Sequence, residues 1–465
     1  SKLNKYDLSS MYFNYAGSIY SQNFPIIDIV MNTMLKQEES DQGRHFFRMF
    51  NGMGDDQRAA AYLNGKSFEQ AVLDNTLSTE VFYEMMKLKG VYLRNYINSR
   101  LSSNEFKEFM AEFTKKYQFQ EVNFTRLNSE FIRKFHFNLM DFIPNWYTIN
   151  STPRFIVKGV DADQVEVGDY TKYIVKFQVY NPTNVEGVIS VNVEEGGGMF
   201  PGGPRGRRGR AAQMESKPAK NYIIEPQKYK EIRILCDERP SNLTINTNIS
   251  QNLPSTIMQN FAKVTTTTTD TVTGIFDANA TLFTFNPKEI TVDNEDPGFR
   301  IIESNQKNKL QSFFKKESED KYKNLNFWMP PSKWTATIGA NYYGDYINSA
   351  VYKKSGSGSN KTEWTTQIQI PGFYEVFVYS SDLPMMGHRW GRNEEKKMQY
   401  YTVKHDDGEE EISVETGRGR QGWMTLGSFY FSQGEAKITL SDKGSGSNQI
   451  IFADAVKWVY TNNNK

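Results

Sequence analysis

The chain has 465 residues, 55 Lys and Arg against 54 Asp and Glu, and a formal net charge of +1. That length predicts about three domains, and the charge balance excludes a global field that would draw the molecule to nucleic acid or an anionic membrane. An aromatic content of 14% argues against disorder and for large buried side chains. With Cys236 as its single cysteine the chain cannot form an internal disulfide.

No stretch approaches the roughly 20 apolar residues of a membrane-spanning helix. The opening Ser1-Lys2-Leu3-Asn4-Lys5-Tyr6 lacks both an initiator Met and the apolar core of a secretory signal. A processed protein or part of a longer one is expected, so upstream sequence is the link through which a membrane protein could be joined.

Residues 1–150 follow helical spacing. Ser102 and Glu105 have capping-box spacing, and Phe106, Phe109, Met110, Phe113 and Tyr117 then recur on one face. A second helix is expected over Thr79 to Arg100, with Val81, Phe82, Met85, Leu88, Tyr92 and Leu93 inward. A third is expected from Asn128 as N-cap, carrying Phe131, Ile132 and Phe135 and ending before Pro144.

The segments Lys89-Gly90-Val91-Tyr92, Phe106 to Phe113, Phe124 to Phe135 and Leu139 to Tyr147 resemble the tail of a gluzincin catalytic domain, the fold of zinc aminopeptidases. That chemistry needs H-E-x-x-H, because two His one helical turn apart hold zinc while the Glu takes a proton from its water. No such motif is present, and His45, His136, His388 and His405 are scattered. The resemblance also implies that Lys87 stands where the family has a transition-state Tyr, and Ala16 where it has its third zinc ligand. A cation at Lys87 would repel zinc instead of donating a proton to an oxyanion. The expectation is a degenerate peptidase fold kept as scaffold; the alternative is the C-terminal part of a zinc peptidase whose H-E-x-x-H lies upstream.

From 151 to 288 the pattern turns to short strands alternating apolar and polar residues, which predicts an antiparallel β-sandwich. Cys236 closes the run Ile232-Arg233-Ile234-Leu235 and reads as a buried strand thiol. Within this segment lies a Gly- and Arg-rich loop, 196–218. Six Lys or Arg stand against Glu215 between Arg205 and Lys220. Arg205, Arg207, Arg208 and Arg210 are candidate anion-binding residues, although a flexible hairpin loop is the favoured reading, because the module offers no aromatic stacking platform beside it. Thr265 to Thr269 reads as a linker, and Asp270-Thr271-Val272 resembles the O-glycosylation signal of extracytoplasmic Bacteroidetes proteins.

The region 289–465 presents ordered landmarks: Asp293-Asn294-Glu295-Asp296-Pro297-Gly298-Phe299, Trp334, Tyr342-Tyr343-Gly344-Asp345-Tyr346, Trp364, Ile370 to Tyr379, Tyr401 to Gly408, Trp423 to Phe431 and Ile451 to Trp458. Their order resembles the golvesin C-terminal family, also seen in proteins labelled xanthan-lyase-like. Phe373, Val376 and Val378 are expected in a core, and His405 to Gly408 in a hairpin whose Asp407 and Gly408 have positive φ. Trp390, with His388, Arg389 and Arg392 around it, is the candidate ligand contact, and most of the other tryptophans read as core. Asp293, Asp296 and Asp454 could meet to hold a structural calcium ion; no other cofactor is expected.

The fold class expected is multidomain α + β, an N-terminal helical bundle followed by two antiparallel β-sandwich domains. The chain carries no complete catalytic site, which points to a binding or scaffold segment at the bacterial cell envelope. Its partner is then a protein or a polysaccharide, in the periplasm or at the cell surface, with no specific nucleic acid. A carbohydrate-binding protein is the further alternative.

Overall fold

The computed structural model describes residues 19–27, 29–31, 55–117, 120–196, 219–261, 264, 266–303, 321–323, 325–326, 329–381, 397–417, 422–446 and 449–461. The described chain is mostly β, with a few helices near the N-terminus. Its contacts separate into two compact units that divide after Leu282.

In the first unit β1 (Ile19–Tyr20) pairs in parallel with β2 (Val122–Asn123). The helices of this unit that lie wholly among the described residues are α1 (Asp55–Leu63), α2 (Phe68–Leu73), α3 (Thr79–Asn98), α4 (Ser103–Lys116), α5 (Phe124–Phe135) and α6 (Ile143–Thr148). The Ser102/Glu105 capping box forms: Ser102 Oγ accepts from the Glu105 amide, and Glu105 Oε2 accepts from the Ser102 amide at 2.9 Å. It fixes the phase of α4, so that Phe106, Phe109, Met110, Phe113 and Tyr117 all turn inward.

The third helix starts five residues earlier than its spacing predicts. Asn123 is the N-cap, accepting from the Thr125 amide at 2.8 Å. Asn128 lies inside α5, buried, where its amide donates to Asn138 Oδ1 and accepts from the Leu139 amide, both at 2.8 Å. An Asn on an apolar helix face looks like a cap in sequence; here it satisfies the turn that follows the helix. His136 ends α5 with φ 54°, the left-handed cap that stops it before Pro144.

The strands of the first unit are β3 (Ile156–Val167), β4 (Tyr170–Tyr180), β5 (Gly187–Glu195), β6 (Lys220–Ile224), β7 (Tyr229–Cys236), β8 (Pro240–Asn246), β9 (Thr256–Asn260), β10 (Thr267–Thr268) and β11 (Gly274–Asp277). They form one sheet in the order β10-β3-β4-β7-β11 and another in the order β6-β5-β8-β9. Phe155, Phe177, Ile189, Val191, Ile232, Cys236 and Ile245 from both sheets share one core, which places the lone thiol where its strand pattern predicts. The helices are not separate from these strands, because Val188 and Ile249 belong to the same apolar cluster as Trp146 and Phe131. The Asn95 amide also donates to Asn248 Oδ1 at 2.7 Å. The segment read as a linker is held: Thr267 and Thr268 pair with Gln164 and Val165, and Asp270 is ion-paired with Arg233.

The second unit contains β12 (Glu289–Val292), β13 (Phe299–Ile302), β14 (Thr335–Ile338), β15 (Ser349–Lys354), β16 (Lys361–Ile368), β17 (Gly372–Ser380), β18 (Lys397–His405), β19 (Gly408–Thr416), β20 (Gly422–Phe431), β21 (Gly434–Gly444), β22 (Ile450–Ala453) and β23 (Val456–Thr461). Sheets in the orders β12-β23-β17-β20 and β13-β16-β21-β18-β19 share a core of Trp364, Tyr374, Val376, Tyr401, Ile438 and Trp458. A three-stranded sheet, β14-β15-β22, packs Tyr342, Tyr352 and Phe452.

Two local expectations need correction here. Phe373 is 42% exposed, because period-two alternation in β17 sends Tyr374, Val376 and Val378 inward and Phe373 outward. The β18–β19 hairpin forms with His405 opposite Gly408, but only Gly408, at φ 132°, has a positive φ.

Candidate functional site

The outer face of the sheet β12-β23-β17-β20 is where the second unit offers chemistry. Its strands alternate, so each residue paired across the sheet with Phe373, Phe377 or Tyr379 also points outward. The partners are Tyr430 for Phe373, Thr425 for Phe377 and Trp423 for Tyr379 on β20, and Lys457 for Phe377 on β23. The alternation survives an irregularity in β20, where Val376 faces Gly427 and Phe377 faces Thr425, leaving Leu426 as an extra residue. Gly427, at φ 133°, is the residue type such a bulge needs. Leu426 remains in the core and Trp423 stays outside.

Two aromatic groups stand on this face. Tyr343, Tyr379 and Trp423 form a triangle with ring centroids 5.1 to 5.6 Å apart, each pair edge-on or tilted. Lys457 Nζ sits 4.6 Å from the Trp423 ring and 5.6 Å from Phe377, in cation–π range, and pairs with Glu289 at 3.4 Å. Phe373 and Tyr430 make the second group, edge-on at 5.4 Å, with Tyr430 37% exposed. A platform of half-buried rings bordered by Glu375, Thr425 and Lys457 offers stacking faces with polar groups beside them. Such a surface stacks on flat, weakly polar faces and hydrogen-bonds at their rims.

Tyr343 reaches the triangle from a loop, and a buried carboxylate holds it there. Both oxygens of Asp454 accept from the Tyr343 amide at 3.2 Å, and Asp454 Oδ2 also accepts from Ser381 Oγ at 3.1 Å. The Asp454 carbonyl accepts from Trp364 Nε1 at 3.0 Å. Asp454 therefore ties the aromatic loop, the end of β17 and the core tryptophan to one point.

Of the three carboxylates expected to meet, Asp293 and Asp454 are both buried and close enough that Asp454 raises Asp293. Burial is the larger cause for Asp293 and the leading one for Asp454, and both carboxyls lie well above the usual carboxylate range. Asp296 turns instead to its own loop, where Oδ2 accepts from the Asp293 amide at 2.8 Å, and burial raises it too. Among the described residues no group of three His, Cys, Asp or Glu is arranged to hold a metal ion.

Trp390, His388, Arg389 and Arg392 lie outside the described residues, as do Arg205, Arg207, Arg208 and Arg210. The loop 196–218 does connect two paired antiparallel strands, β5 and β6. Lys87 pairs with Glu84 at 2.5 Å and lies over the Tyr83 ring. The outward aromatic platform was missed in sequence because Trp423 and Tyr379 sit in strand patterns that a core also produces. The signal available was parity: Tyr379 alternates with Val378 and Trp423 with Leu426, while the bulge at Gly427 resets the phase so that Phe429 and Phe431, of the same parity as Trp423, face the core.

Residues 323–460 match the golvesin C-terminal domain family. β12 and β13 precede the matched span, yet they pair with β23 and β16 of the golvesin-like domain. No curated protein matches the chain. Among solved structures, a Paenibacillus xanthan lyase is similar at 14% identity over 66% of this chain and 26% of the lyase, with a TM-score of 0.26. This chain thus spans about a quarter of the lyase's length. A family 35 carbohydrate-binding module from Clostridium thermocellum is similar at 13% identity over 37% of this chain and 98% of the module, with a TM-score of 0.23. A two-domain protein of unknown function from Bacteroides fragilis is similar at 9% identity over 66% of this chain and 94% of that one, with a TM-score of 0.16.

Proposed function

We propose that the golvesin-like domain is a non-catalytic carbohydrate-binding unit of an extracytoplasmic bacterial protein, with the outward aromatic face of β17 and β20 as its contact surface. The observation that carries this reading is the platform of Tyr343, Tyr379 and Trp423 flanked by the exposed Phe373–Tyr430 pair. Sugar rings stack on such faces through their C–H groups while hydroxyls meet polar neighbours at the edge. Among the described residues no helix is long and apolar enough to cross a membrane. On this reading each pair of core-sharing sheets is a β-sandwich, and the first unit is the scaffold that presents the golvesin-like domain. Screening the full chain against a panel of bacterial and plant polysaccharides tests it: Trp423→Ala should weaken the best binder at least tenfold. A Trp390→Ala variant separates this face from the loop 385–392, which stays the alternative contact together with His388, Arg389 and Arg392.

The calcium reading belongs here as well. Asp293 and Asp454, with Asp296 on the adjoining turn, are hard oxygen donors whose burial opposes their ionisation, and one divalent cation would offset two of the three negative charges. The basic loop with Arg205, Arg207, Arg208 and Arg210 is retained as a contact for polyanions, tested by removing 196–218 and measuring binding at low salt. The peptidase-like reading of residues 1–150 rests on sequence pattern alone, and the golvesin match leaves that segment uncovered. Zinc content of the longest natural form decides between a degenerate scaffold and a peptidase completed upstream.

A further inference from the structure

Along β17 the outward residues are Phe373, Glu375, Phe377 and Tyr379, two apart, while Tyr374, Val376 and Val378 face the core. At a rise of ~3.3 Å per residue, the line from Phe373 to Tyr379 is about 20 Å long. An aromatic pair stands at each end, Phe373 with Tyr430 and Tyr379 with Trp423, and Phe377 lies between them beside Lys457. The polar groups fall between these rings: Glu375, its cross-strand partner Ser428, and Thr425, whose hydroxyl donates to Glu375 Oε1 at 3.5 Å. Rings and hydrogen-bonding groups therefore succeed one another in a single direction, that of the strand.

The other sheet of the same core is built differently. On the outer face of β13-β16-β21-β18-β19, Glu363 pairs with Arg300 and with Lys437 at 3.3 Å. Lys443 pairs there with Glu411 at 3.8 Å and covers the Tyr400 ring. That face is ionic, whereas the β17 face sets its rings in a row.

Charge narrows the kind of ligand. Among the described residues, the outward positions of β12-β23-β17-β20 hold two carboxylates, Glu289 and Glu375, against one ammonium, Lys457. Glu289 pairs with Lys457 at 3.4 Å, which leaves the face one negative charge in excess. A polyanion meets net repulsion there, and a polycation finds one spare carboxylate in the whole length. The complementary ligand is uncharged and brings hydroxyls to Glu375, Thr425 and Ser428.

We propose that this face holds an uncharged, β-1,4-linked glycan chain of at least about five pyranose units, laid along β17 with its ends on the two aromatic pairs. This rests on the carbohydrate-binding reading above and names the class of its ligand. Each unit of such a chain advances about 5 Å, roughly three to four single bonds of ~1.5 Å, so about four steps carry it from one pair to the other. Pyranoses joined β-1,4 extend as a flat ribbon whose C–H faces lie on rings set in a row, whereas α-1,4 chains coil away from a line.

The test is isothermal titration calorimetry of the full chain with the β-1,4 hexamers of glucose, mannose and xylose, and with the dimer and trimer of the best binder. The β-1,4-mannuronate hexamer is the anionic control and maltohexaose the coiled one. The best neutral hexamer should bind at least tenfold more tightly than its dimer and than either control. Trp423→Ala should weaken hexamer and trimer alike. Phe373→Ala should bring the hexamer down to the affinity of the trimer and leave the trimer unchanged, with unaltered circular dichroism because Phe373 is a surface residue. Tyr430→Ala, at the same end, should repeat that pattern. A dimer that binds as well as the hexamer, or a hexamer indifferent to both Phe373→Ala and Tyr430→Ala, would overturn the chain assignment while leaving Trp423 as a sugar contact. Preference for the mannuronate hexamer or for maltohexaose would overturn the neutral ribbon. Failure of every hexamer to bind, by a chain that binds a polysaccharide, sinks this inference alone; failure of both removes the carbohydrate reading with it.

Discussion

Replacing Asp454 separates what its hydrogen bonds do from what its charge does. In Asp454→Ala the Tyr343 amide and Ser381 Oγ lose their acceptors at a buried point. Leaving a buried donor unmatched costs about 1–3 kcal/mol, so two such donors predict a loss of roughly 2–6 kcal/mol. For a unit of this size about 1 kcal/mol moves the melting temperature by roughly 2–4 °C, which places the shift near 10 °C. Asp454→Asn keeps one acceptor oxygen. Because burial already holds the Asp454 carboxyl towards its neutral form, this change should cost under about half as much. Differential scanning calorimetry of the full chain, read on the transition of the second unit, measures both. If Asp454→Ala melts with wild type, the anchoring role is wrong; if Asp454→Asn is as damaging as Asp454→Ala, the ionised carboxylate matters and the account of its charge fails.

Asp293 carries a pH dependence. Its carboxyl is raised in the folded state, so its share of stability is complete below about pH 4, the unfolded value, and is lost progressively as pH rises towards the folded one. The second unit should therefore melt lower at pH 8.5 than at pH 5, Asp293→Asn should flatten that difference, and millimolar calcium should restore the pH 8.5 value if the ion binds there; unchanged melting with calcium and with chelator removes the calcium reading. Lys353 and Asp442 form a buried ion pair, and although burial opposes it, Lys353 and Asn360 hold the Asp442 carboxyl below its usual value. Asp442→Ala should cost about 3–5 kcal/mol, because it leaves a buried ammonium unpaired, as chemical denaturation will show. Asn128→Leu should destabilise the first unit by about 1–3 kcal/mol through the unmatched Leu139 amide, Asn138 Oδ1 keeping the Met140 amide as its donor, seen as a lower midpoint in urea.

Much of the secondary structure was legible because it follows from periodicity. The α4 face and its Ser102/Glu105 cap are read directly from spacing, and the strand ending at Cys236 from its apolar run. Asn128 shows where such reading stops, since cap and buried amide bridge use the same residue type and only the partner in space distinguishes them. Phe373 shows the same limit for strands: a one-residue choice of phase moves a side chain from core to surface, and in β17 the phase is set by packing of Tyr374 against Phe431 and Tyr460. The aromatic platform depends on three separate segments, around Tyr343, Tyr379 and Trp423, whose meeting is a property of sheet order β23-β17-β20 and of the Asp454 anchor.

Binding of the full chain to its best polysaccharide, compared between wild type and Trp423→Ala by affinity electrophoresis, tests the central claim most directly. The account predicts retardation of the wild type that drops at least tenfold in the variant while both melt alike. Equal retardation of the two proteins, or none for either across the panel, would contradict it.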